Sequence, residues 1–406
     1  MVKDFSGAII ALRNSMKKIF ILFVLFSNQV LAQSQKPDTS KYLLTDFALQ
    51  LEITDAIDEM YNFNFHKAEV EFNWIRYNYV EHPLSYFLFG ISTWWQMMPN
   101  LDRVGNLGEE FVAYMDTAIV KSEKLLKANE DNIEAKFFLA GAYGFKGRFY
   151  SERKNWTKAA NAGRLALKYL EKTKGYEEMS PEILFGDALF NYYSIWIREN
   201  YPSLKPILFF FPKGDKELGI QQMEQVSTNA FYTRMEAIYF LMRIRAFETS
   251  ETFEALRLSE YIFNQYPNNP YFHRFYARML YQAGQYTQSA EVSFDILDRI
   301  EKGQAGYEEI SGRYAAFFLA RLYQSQNNDE ETEHYYQMVV DFTERISQED
   351  SGYYLYAQMY LARAEEVREE YTSALERLVK VRTHTKRKDR LNKEARKLRK
   401  EIKRKI

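Results

Sequence analysis

The sequence predicts an all-α protein built from stacked pairs of antiparallel helices, and three observations support this fold class. Apolar residues recur at intervals of three and four, the spacing of one helix face, and few runs alternate as strands do. Glycine (17) and proline (9) are scarce, unlike in an all-β chain with many tight turns. The 31 Tyr, 31 Phe and 5 Trp provide enough ring area to fill a large core in a chain of 406 residues.

The N-terminal residues have the pattern of a secretory signal peptide. A basic start at residues 16–18 precedes an apolar run at 19–26, and Val30 and Ala32 stand three and one before the expected cleavage point. The run is too short to cross a bilayer, which takes about 20 residues. We therefore expect residues 1–32 to be removed, with Met16 as the true start, and the protein to reach the periplasm or cell envelope of a bacterium. The alternatives are an uncleaved anchor or a buried helix, and a signal that residues 8–12 extend upstream of Met16.

The rest of the chain has helical periodicity and a repeating register. We expect roughly sixteen helices after residue 41, separated by short breaks. A unit of 34 residues that starts at Pro270 places Ala277 at position 8 and Ser289 at position 20, where two helices cross and only small residues fit. Similar units start at Ile133, Arg313 and Leu355. The clearest helical segments are 134–145, 181–197, 234–247, 271–282, 313–323 and 353–367.

This register resembles that of the tetratricopeptide-repeat superfamily over most of residues 41–381. The resemblance implies an irregular α-solenoid of about eight antiparallel helix pairs, in which the first helix of each pair lines a concave groove. It also implies a scaffold that binds protein or peptide partners. Stacking of neighbouring pairs predicts an extended, curved array rather than a closed ring.

The central residues carry a second, narrower resemblance. Phe185-Gly186, Pro202, the Gly214-Asp215 turn before a helix, and Arg234 are similar to a segment of the eukaryotic tetratricopeptide family that includes the fungal inclusion-body clearance protein. The similarity covers residues 185–297. It implies an adaptor rather than an enzyme.

The last three repeats place a tyrosine at position 2 and an arginine at position 9 of each first helix. Residues seven apart share a helix face, so we expect three Tyr–Arg pairs along the groove. Arginine suits carboxylates or other anions, and tyrosine adds flat contact area. The alternative is that each arginine pairs with a glutamate of the neighbouring repeat and each tyrosine packs locally. The six residues are Tyr271, Arg278, Tyr314, Arg321, Tyr356 and Arg363.

The C-terminal residues 382–406 form a basic tail after the repeat domain 33–381. The tail holds 13 basic and 3 acidic residues, and Leu391, Ala395, Leu398 and Ile402 give it one thin apolar stripe at helical spacing. Such a helix binds an anionic membrane surface or an acidic partner; a solvated end is the alternative. Nucleic acid is not expected as a partner of an exported protein. Ten of these 13 basic residues cover most of the remaining helix surface: Lys386, Arg387, Lys388, Arg396, Lys397, Arg399, Lys400, Lys403, Arg404 and Lys405.

The sequence offers little chemistry for catalysis. The chain has no cysteine, its five histidines lack metal-ligand spacing, and it has no Gly-x-Ser-x-Gly or phosphate-loop motif. We read Gly147 as the turn between paired helices, and we expect a non-catalytic protein without cofactor or metal. The alternatives are an α/α-toroid enzyme that acts on polysaccharide through paired carboxylates, and a glycan-binding protein. The sugar platforms would be Trp74, Trp94, Trp95, Trp156 and Trp196.

Overall fold

The computed structural model describes residues 42–205, 209 and 212–406, so the predicted signal peptide lies outside the described residues. Tyr42–Ile406 form one compact unit. Within the described ranges the chain forms eighteen α-helices, two short 3-10 helices (Leu43–Thr45 and Pro202–Leu204) and no strand. In that same part of the chain, no helix combines the length and apolar composition that crossing a bilayer requires.

The helices, numbered in chain order, are α1 Phe47–Glu52, α2 Thr54–Tyr61, α3 Phe65–Asn78, α4 Leu84–Met97, α5 Leu107–Ala128, α6 Ile133–Glu152, α7 Trp156–Leu170, α8 Pro181–Asn200, α9 Lys216–Asn229, α10 Arg234–Phe247, α11 Thr252–Gln265, α12 Pro270–Gln282, α13 Tyr286–Glu301, α14 Glu309–Ser325, α15 Asp329–Arg345, α16 Gly352–Val367, α17 Tyr371–Thr383 and α18 Arg390–Lys405.

Local sequence explains where many of these helices begin and end. Asn269 caps α12 by accepting hydrogen bonds from the backbone N–H groups of the first turn, and Pro270 at the first position needs no such partner. Ser180 and the proline after it begin α8 in the same way. The turn after α12 contains Gly284 at φ 80°, a conformation that glycine adopts without steric cost.

The helices pack as eight antiparallel pairs, from α2–α3 to α16–α17, so the even-numbered helices are the first helices of their pairs. The small residues lie at the helix crossings as predicted. Ser289 donates a 2.9 Å hydrogen bond from its hydroxyl to the carbonyl oxygen of Ala277. Ala362 and Ala374 are fully buried at the corresponding positions of the last pair. The predicted all-α solenoid of tetratricopeptide type is therefore confirmed.

One glycine has a different role from the one the sequence predicts. Gly147 lies inside α6, which continues to Glu152, and the turn contains Lys154 at φ 55°. A Cβ atom at Gly147 would lie 3.5 Å from the backbone nitrogen of Gly163 and 3.6 Å from the carbonyl oxygen of Ala159, both on α7. The turn prediction was wrong because α6 is longer than the first helix of a 34-residue unit. The glycine instead lies where α6 packs against α7, and a Cβ atom there would make only ordinary contacts.

Contacts also join pairs that are distant in the chain. Asn269, before α12, donates a 2.8 Å hydrogen bond to the carbonyl oxygen of Tyr61 at the end of α2. Trp95 on α4 donates a 2.8 Å hydrogen bond to the buried carboxyl group of Glu236 on α10. Stacking of neighbouring pairs alone does not predict these contacts. The inner faces of the first helices are therefore partly core.

The basic tail packs on the last pair. Ala395 and Ile402 are fully buried against α16 and α17, and Asn392 donates a 2.9 Å hydrogen bond to the hydroxyl of Thr385. The predicted tail helix begins at Arg390 rather than at 382, because residues 371–383 complete the second helix of the eighth pair. Helix α18 thus takes the place of a first helix and covers the end of the apolar core.

Candidate partner-binding face

The six predicted groove residues lie on three consecutive first helices, α12, α14 and α16. Five of them are half-buried, and only Arg363 is exposed. The side of the first helices that carries these residues is therefore partly in contact with solvent and partly buried in the protein. The partners of each side chain decide what it can bind.

Arg321 connects two consecutive first helices. Its Nη1 donates a 2.8 Å hydrogen bond to the hydroxyl of Tyr356 on α16 and a 2.7 Å hydrogen bond to Gln324. Its Nε donates a 3.0 Å hydrogen bond to the hydroxyl of Tyr281 on the preceding first helix. The guanidinium group is thus held by neutral oxygens from three helices. It has no carboxylate partner among the described residues.

The predicted tyrosines and arginines do not pair within their own helices. Tyr271 accepts a 3.4 Å hydrogen bond from Arg243 on the preceding first helix, whereas Arg278 lies 4.5 Å from the ring centre of Phe247. Tyr314 packs against another tyrosine. The reason is geometric: residues seven apart on one helix are about 10 Å apart along its axis, beyond direct contact. The axis of the next first helix also lies about 10 Å away, and side chains from both helices extend into the space between them.

Arg363 departs from the prediction in another way. Its Nη2 lies 3.2 Å from a carboxylate oxygen of Glu394 on α18. At this position the structure shows the alternative, an arginine paired with a glutamate, because the tail helix packs beside α16. Partner binding through the six residues stays a prediction.

Two further arginines that the sequence did not single out belong to this face. Arg148 on α6 and Arg243 on α10 donate hydrogen bonds of 2.7 and 2.8 Å to the same hydroxyl, that of Tyr239. Burial alone would raise the pKa of the Tyr239 phenol, but the two guanidinium groups outweigh it and lower the pKa below its usual value. The sequence pattern did not predict either arginine, because both precede the three repeats whose positions were aligned.

Arg148, Arg243, Arg278 and Arg321 together form what we call the arginine row. All four are half-buried, and none has an ion pair with a carboxylate in the described part of the chain. Nη1 of Arg148 and Nε of Arg278 are buried without a hydrogen-bond partner. The row therefore holds positive charge and donor groups that the described residues leave uncompensated.

The carboxyl group that interacts electrostatically with Arg148 is that of Glu236. It accepts hydrogen bonds from Trp95 at 2.8 Å and Tyr61 at 3.4 Å, and one of its oxygens has no partner. Burial raises the pKa of Glu236, and Arg148 opposes that rise. Arg148 and Glu236 nevertheless form no ion pair, so this carboxyl group is not a direct partner of the row.

The structure gives little support to the polysaccharide alternative. Trp94 and Trp95 are fully buried in the core, so they cannot stack on a sugar in this fold. Trp156 and Trp196 are half-buried, and Trp74 is exposed on α3. Within the described ranges, no group of three or more His, Asp or Glu side chains is arranged to hold a metal ion.

Comparison with known proteins adds little. No protein-family model matches the chain, and no curated protein matches its sequence. Among solved structures, the chain is similar to one described as "Crystal Structure of P58(IPK) TPR Domain at 2.5 A", with 13% identity and a TM-score of 0.26, covering 88% of this chain and 98% of that one. The repeat fold rests on the helix pairing itself. The narrower resemblance of residues 185–297 stays a prediction.

Proposed function

We propose that this protein is a non-catalytic interaction scaffold of the bacterial cell envelope, which holds an acidic peptide segment against its arginine row. The observation that supports this proposal is the row itself. Four half-buried guanidinium groups on first helices have ring faces, hydroxyls or an amide oxygen as neighbours, and no described carboxylate pairs with them.

An anionic ligand would relieve a physical cost in this arrangement. A charge removed from water is costly unless it is paired and hydrogen-bonded. Arg148 and Arg243 share one tyrosine hydroxyl, so their like charges also repel each other. A carboxylate accepts two parallel hydrogen bonds from one guanidinium group, and these charge-assisted bonds are about twice as strong as neutral ones.

The tyrosines around the row favour a peptide over a small anion. Tyr271, Tyr314 and Tyr356 are half-buried on successive first helices, so part of each residue remains accessible. Tyrosine and arginine are enriched among the residues that contribute most to protein interfaces. An extended segment that carries carboxylates can contact several of these positions at once.

The proposed location in the envelope rests on the sequence. A basic start, an apolar run at 19–26 and the small-residue site at Val30 and Ala32 are the three parts of a secretory signal. The test is N-terminal sequencing of protein from fractionated native cells, which we expect to give Gln33 in the periplasmic fraction. Recovery of residues 16–26 in the membrane fraction would instead indicate an anchored protein.

Peptide binding can be tested with a labelled ten-residue oligoglutamate probe in fluorescence anisotropy. Replacing Arg243, Arg278 and Arg321 with glutamine removes three charges from the row. We expect affinity to fall at least about tenfold, because a hydrogen bond to a charged group contributes about 1.5–3 kcal/mol. An oligoglutamine probe should bind neither protein.

The matched control replaces Arg153, Arg164 and Arg234 with glutamine, because these arginines are exposed and form no ion pair in the described part of the chain. This variant has the same net charge as the row variant and should bind the probe as the wild type does. Melting temperatures of both variants show whether the fold is intact. If the folded row variant bound oligoglutamate normally, the proposed function would be wrong.

A further inference from the structure

The basic helix α18 has three faces of different character. Leu391, Ala395, Leu398 and Ile402 face the last helix pair. At 100° per residue, Glu394 and Glu401 lie on one flank of this stripe. The remainder of the helix surface, which we call the basic face, contains no acidic residue. Its members are Lys393, Arg396, Lys397, Arg399, Lys400, Lys403 and Arg404.

The outermost residues of the basic face are free to meet a partner. Lys393, Lys400 and Arg404 are exposed and form no ion pair with any described carboxylate. Lys397 is exposed as well and reaches Glu401 only at 3.9 Å. The turn before the helix adds exposed basic residues at 386–388. Lys405 differs, since it lies on the acidic flank and pairs with Glu366.

We infer that the basic face of α18 docks on an anionic lipid surface by electrostatic attraction alone. The helix does not insert, because its apolar stripe is already buried in the fold: Ala395 and Ile402 are fully buried. A free amphipathic helix would instead place its apolar side in the bilayer. The inference does not rest on the proposed function of the arginine row.

The composition of the basic face favours a lipid surface over an acidic protein. A stable protein interface has a buried centre of aromatic and apolar anchors, and charged residues are depleted there. The basic face contains no apolar or aromatic side chain. An anionic membrane requires none, since each Lys or Arg near its surface contributes binding by charge alone. The helix of 16 residues is about 24 Å long, which presents a straight row of charges to a planar surface.

The distribution of charge along the chain supports one orientation. The whole chain has a net charge of −1, although its C-terminal residues are strongly basic. Residues 42–381 therefore carry an excess of acidic over basic side chains. An anionic surface attracts the end of the array that carries α18, whereas it repels the net negative charge of residues 42–381.

Sedimentation with lipid vesicles tests the inference. The protein begins at Gln33, the predicted mature start, and so keeps the whole compact unit Tyr42–Ile406. Vesicles contain either phosphatidylcholine alone or phosphatidylcholine with about one third phosphatidylglycerol. We expect binding only to the anionic vesicles. We also expect binding to be lost between about 0.1 M and 1 M salt, because the Debye length falls from about 10 to about 3 Å.

A variant with Lys393, Lys397, Lys400 and Arg404 replaced by glutamine tests the basic face directly. All four are exposed, so the fold should be retained. Binding should fall at least about tenfold, since each basic residue near an anionic surface contributes a factor of about five. The matched control replaces Lys158, Arg164, Lys168 and Lys172, which are exposed on or just after α7, and should bind as the wild type does. Both variants carry the same net charge.

Three outcomes would overturn the inference. The first is equal binding to neutral and anionic vesicles, and the second is equal loss of binding in both fourfold variants. The third is that the protein does not bind anionic vesicles, whereas oligoglutamate binds to the basic face. That outcome would indicate that this surface binds an acidic protein. The arginine-row variant serves as a cross-check, because it should lose oligoglutamate and keep the vesicles.

Discussion

Arg321 on α14 donates a 2.8 Å hydrogen bond from Nη1 to the hydroxyl of Tyr356 on α16, the next first helix. The arginine at position 9 of one repeat thus meets the tyrosine at position 2 of the following repeat. Arg243 likewise donates a hydrogen bond to the hydroxyl of Tyr271 on the next first helix, at a longer distance of 3.4 Å. These residues join consecutive repeats and still leave the positive charge without a carboxylate, so one set of side chains can serve both stability and binding.

We expect Tyr356→Phe to lower the free energy of unfolding by about 1–2 kcal/mol. The change keeps the ring and removes the hydroxyl, and a hydrogen bond to a charged group contributes about 1.5–3 kcal/mol when buried. The contribution is smaller here because both residues are half-buried. Urea denaturation measures the change. Tyr360→Phe is the control, since the hydrogen bond of the Tyr360 hydroxyl with Asp329 is exposed and long, at 3.5 Å. Equal effects of the two changes would show that the hydrogen bond between Arg321 and Tyr356 contributes no extra stability.

Glu182 on α8 should be among the most sensitive polar positions of the chain. Its buried carboxyl group accepts hydrogen bonds of 2.6, 3.0 and 2.9 Å from the backbone N–H groups of Phe231, Tyr232 and Thr233, just before α10. We expect Glu182→Ala to destabilise by about 3–5 kcal/mol, because each buried group left without a partner costs about 1–3 kcal/mol. Circular dichroism in urea measures the loss.

The control for this position is Glu182→Gln, which keeps one carbonyl acceptor and the side-chain volume. It should cost less than Glu182→Ala, since some of the backbone N–H groups stay satisfied. A glutamine variant as unstable as the alanine variant would show that the negative charge, rather than the hydrogen bonds, stabilises the start of α10.

The buried Asp187 on α8 should make stability depend on pH. Burial, followed by the charge of Glu177, raises its pKa from 3.8 to about 6. At pH 7 the Asp187 side chain is charged in both the folded and the unfolded chain. Its burial then lowers the free energy of unfolding by about 3 kcal/mol. We expect Asp187→Asn to be more stable than the wild type at pH 7. The difference should shrink as the pH falls through 6 and vanish below about pH 4, where both states hold the proton. Urea denaturation at several pH values measures it, and a difference independent of pH would contradict the assignment.

His273 on α12 should have the opposite effect. Burial, followed by the charge of Arg299, lowers its pKa from 6.5 to about 3, and its ring nitrogen lies 2.9 Å from the hydroxyl of Tyr307. Below pH 6.5 the His273 ring is protonated in the unfolded chain but stays neutral in the folded chain. The wild type should therefore lose up to about 1.4 kcal/mol of stability per pH unit between pH 6.5 and 3. His273→Phe should remove this contribution to the pH dependence of the free energy of unfolding. An unchanged pH dependence in the variant would show that His273 is not its source.

Local periodicity was enough to predict most of the helices. The expected span 234–247 matches α10, and 353–367 differs from α16 by one residue. Small residues at the crossings, such as Ala277 and Ser289, were also predictable, because two helices can approach only where side chains are small. Gly147 was misread because the length of α6 exceeds the repeat unit from which its position was counted.

The candidate site was only partly predictable. The sequence identified Arg321 and Tyr356 but placed them in separate pairs, and it did not identify Arg148 or Arg243. The two additional arginines are recognisable only because both contact the hydroxyl of Tyr239. That contact spans α6 and α10, which are about ninety residues apart in the chain.

The sequence by itself determined the helices, their apolar faces and the segregation of basic charge in the C-terminal residues, since each depends on neighbours within a few turns. Tertiary structure decided which side chains meet. Whether an arginine reaches a tyrosine, as Arg321 does, or a glutamate, as Arg363 does, depends on how the next helix is placed about 10 Å away. Packing likewise turned the apolar stripe of α18 inward and left its basic face in solvent. Periodicity within one helix carries no information on that placement.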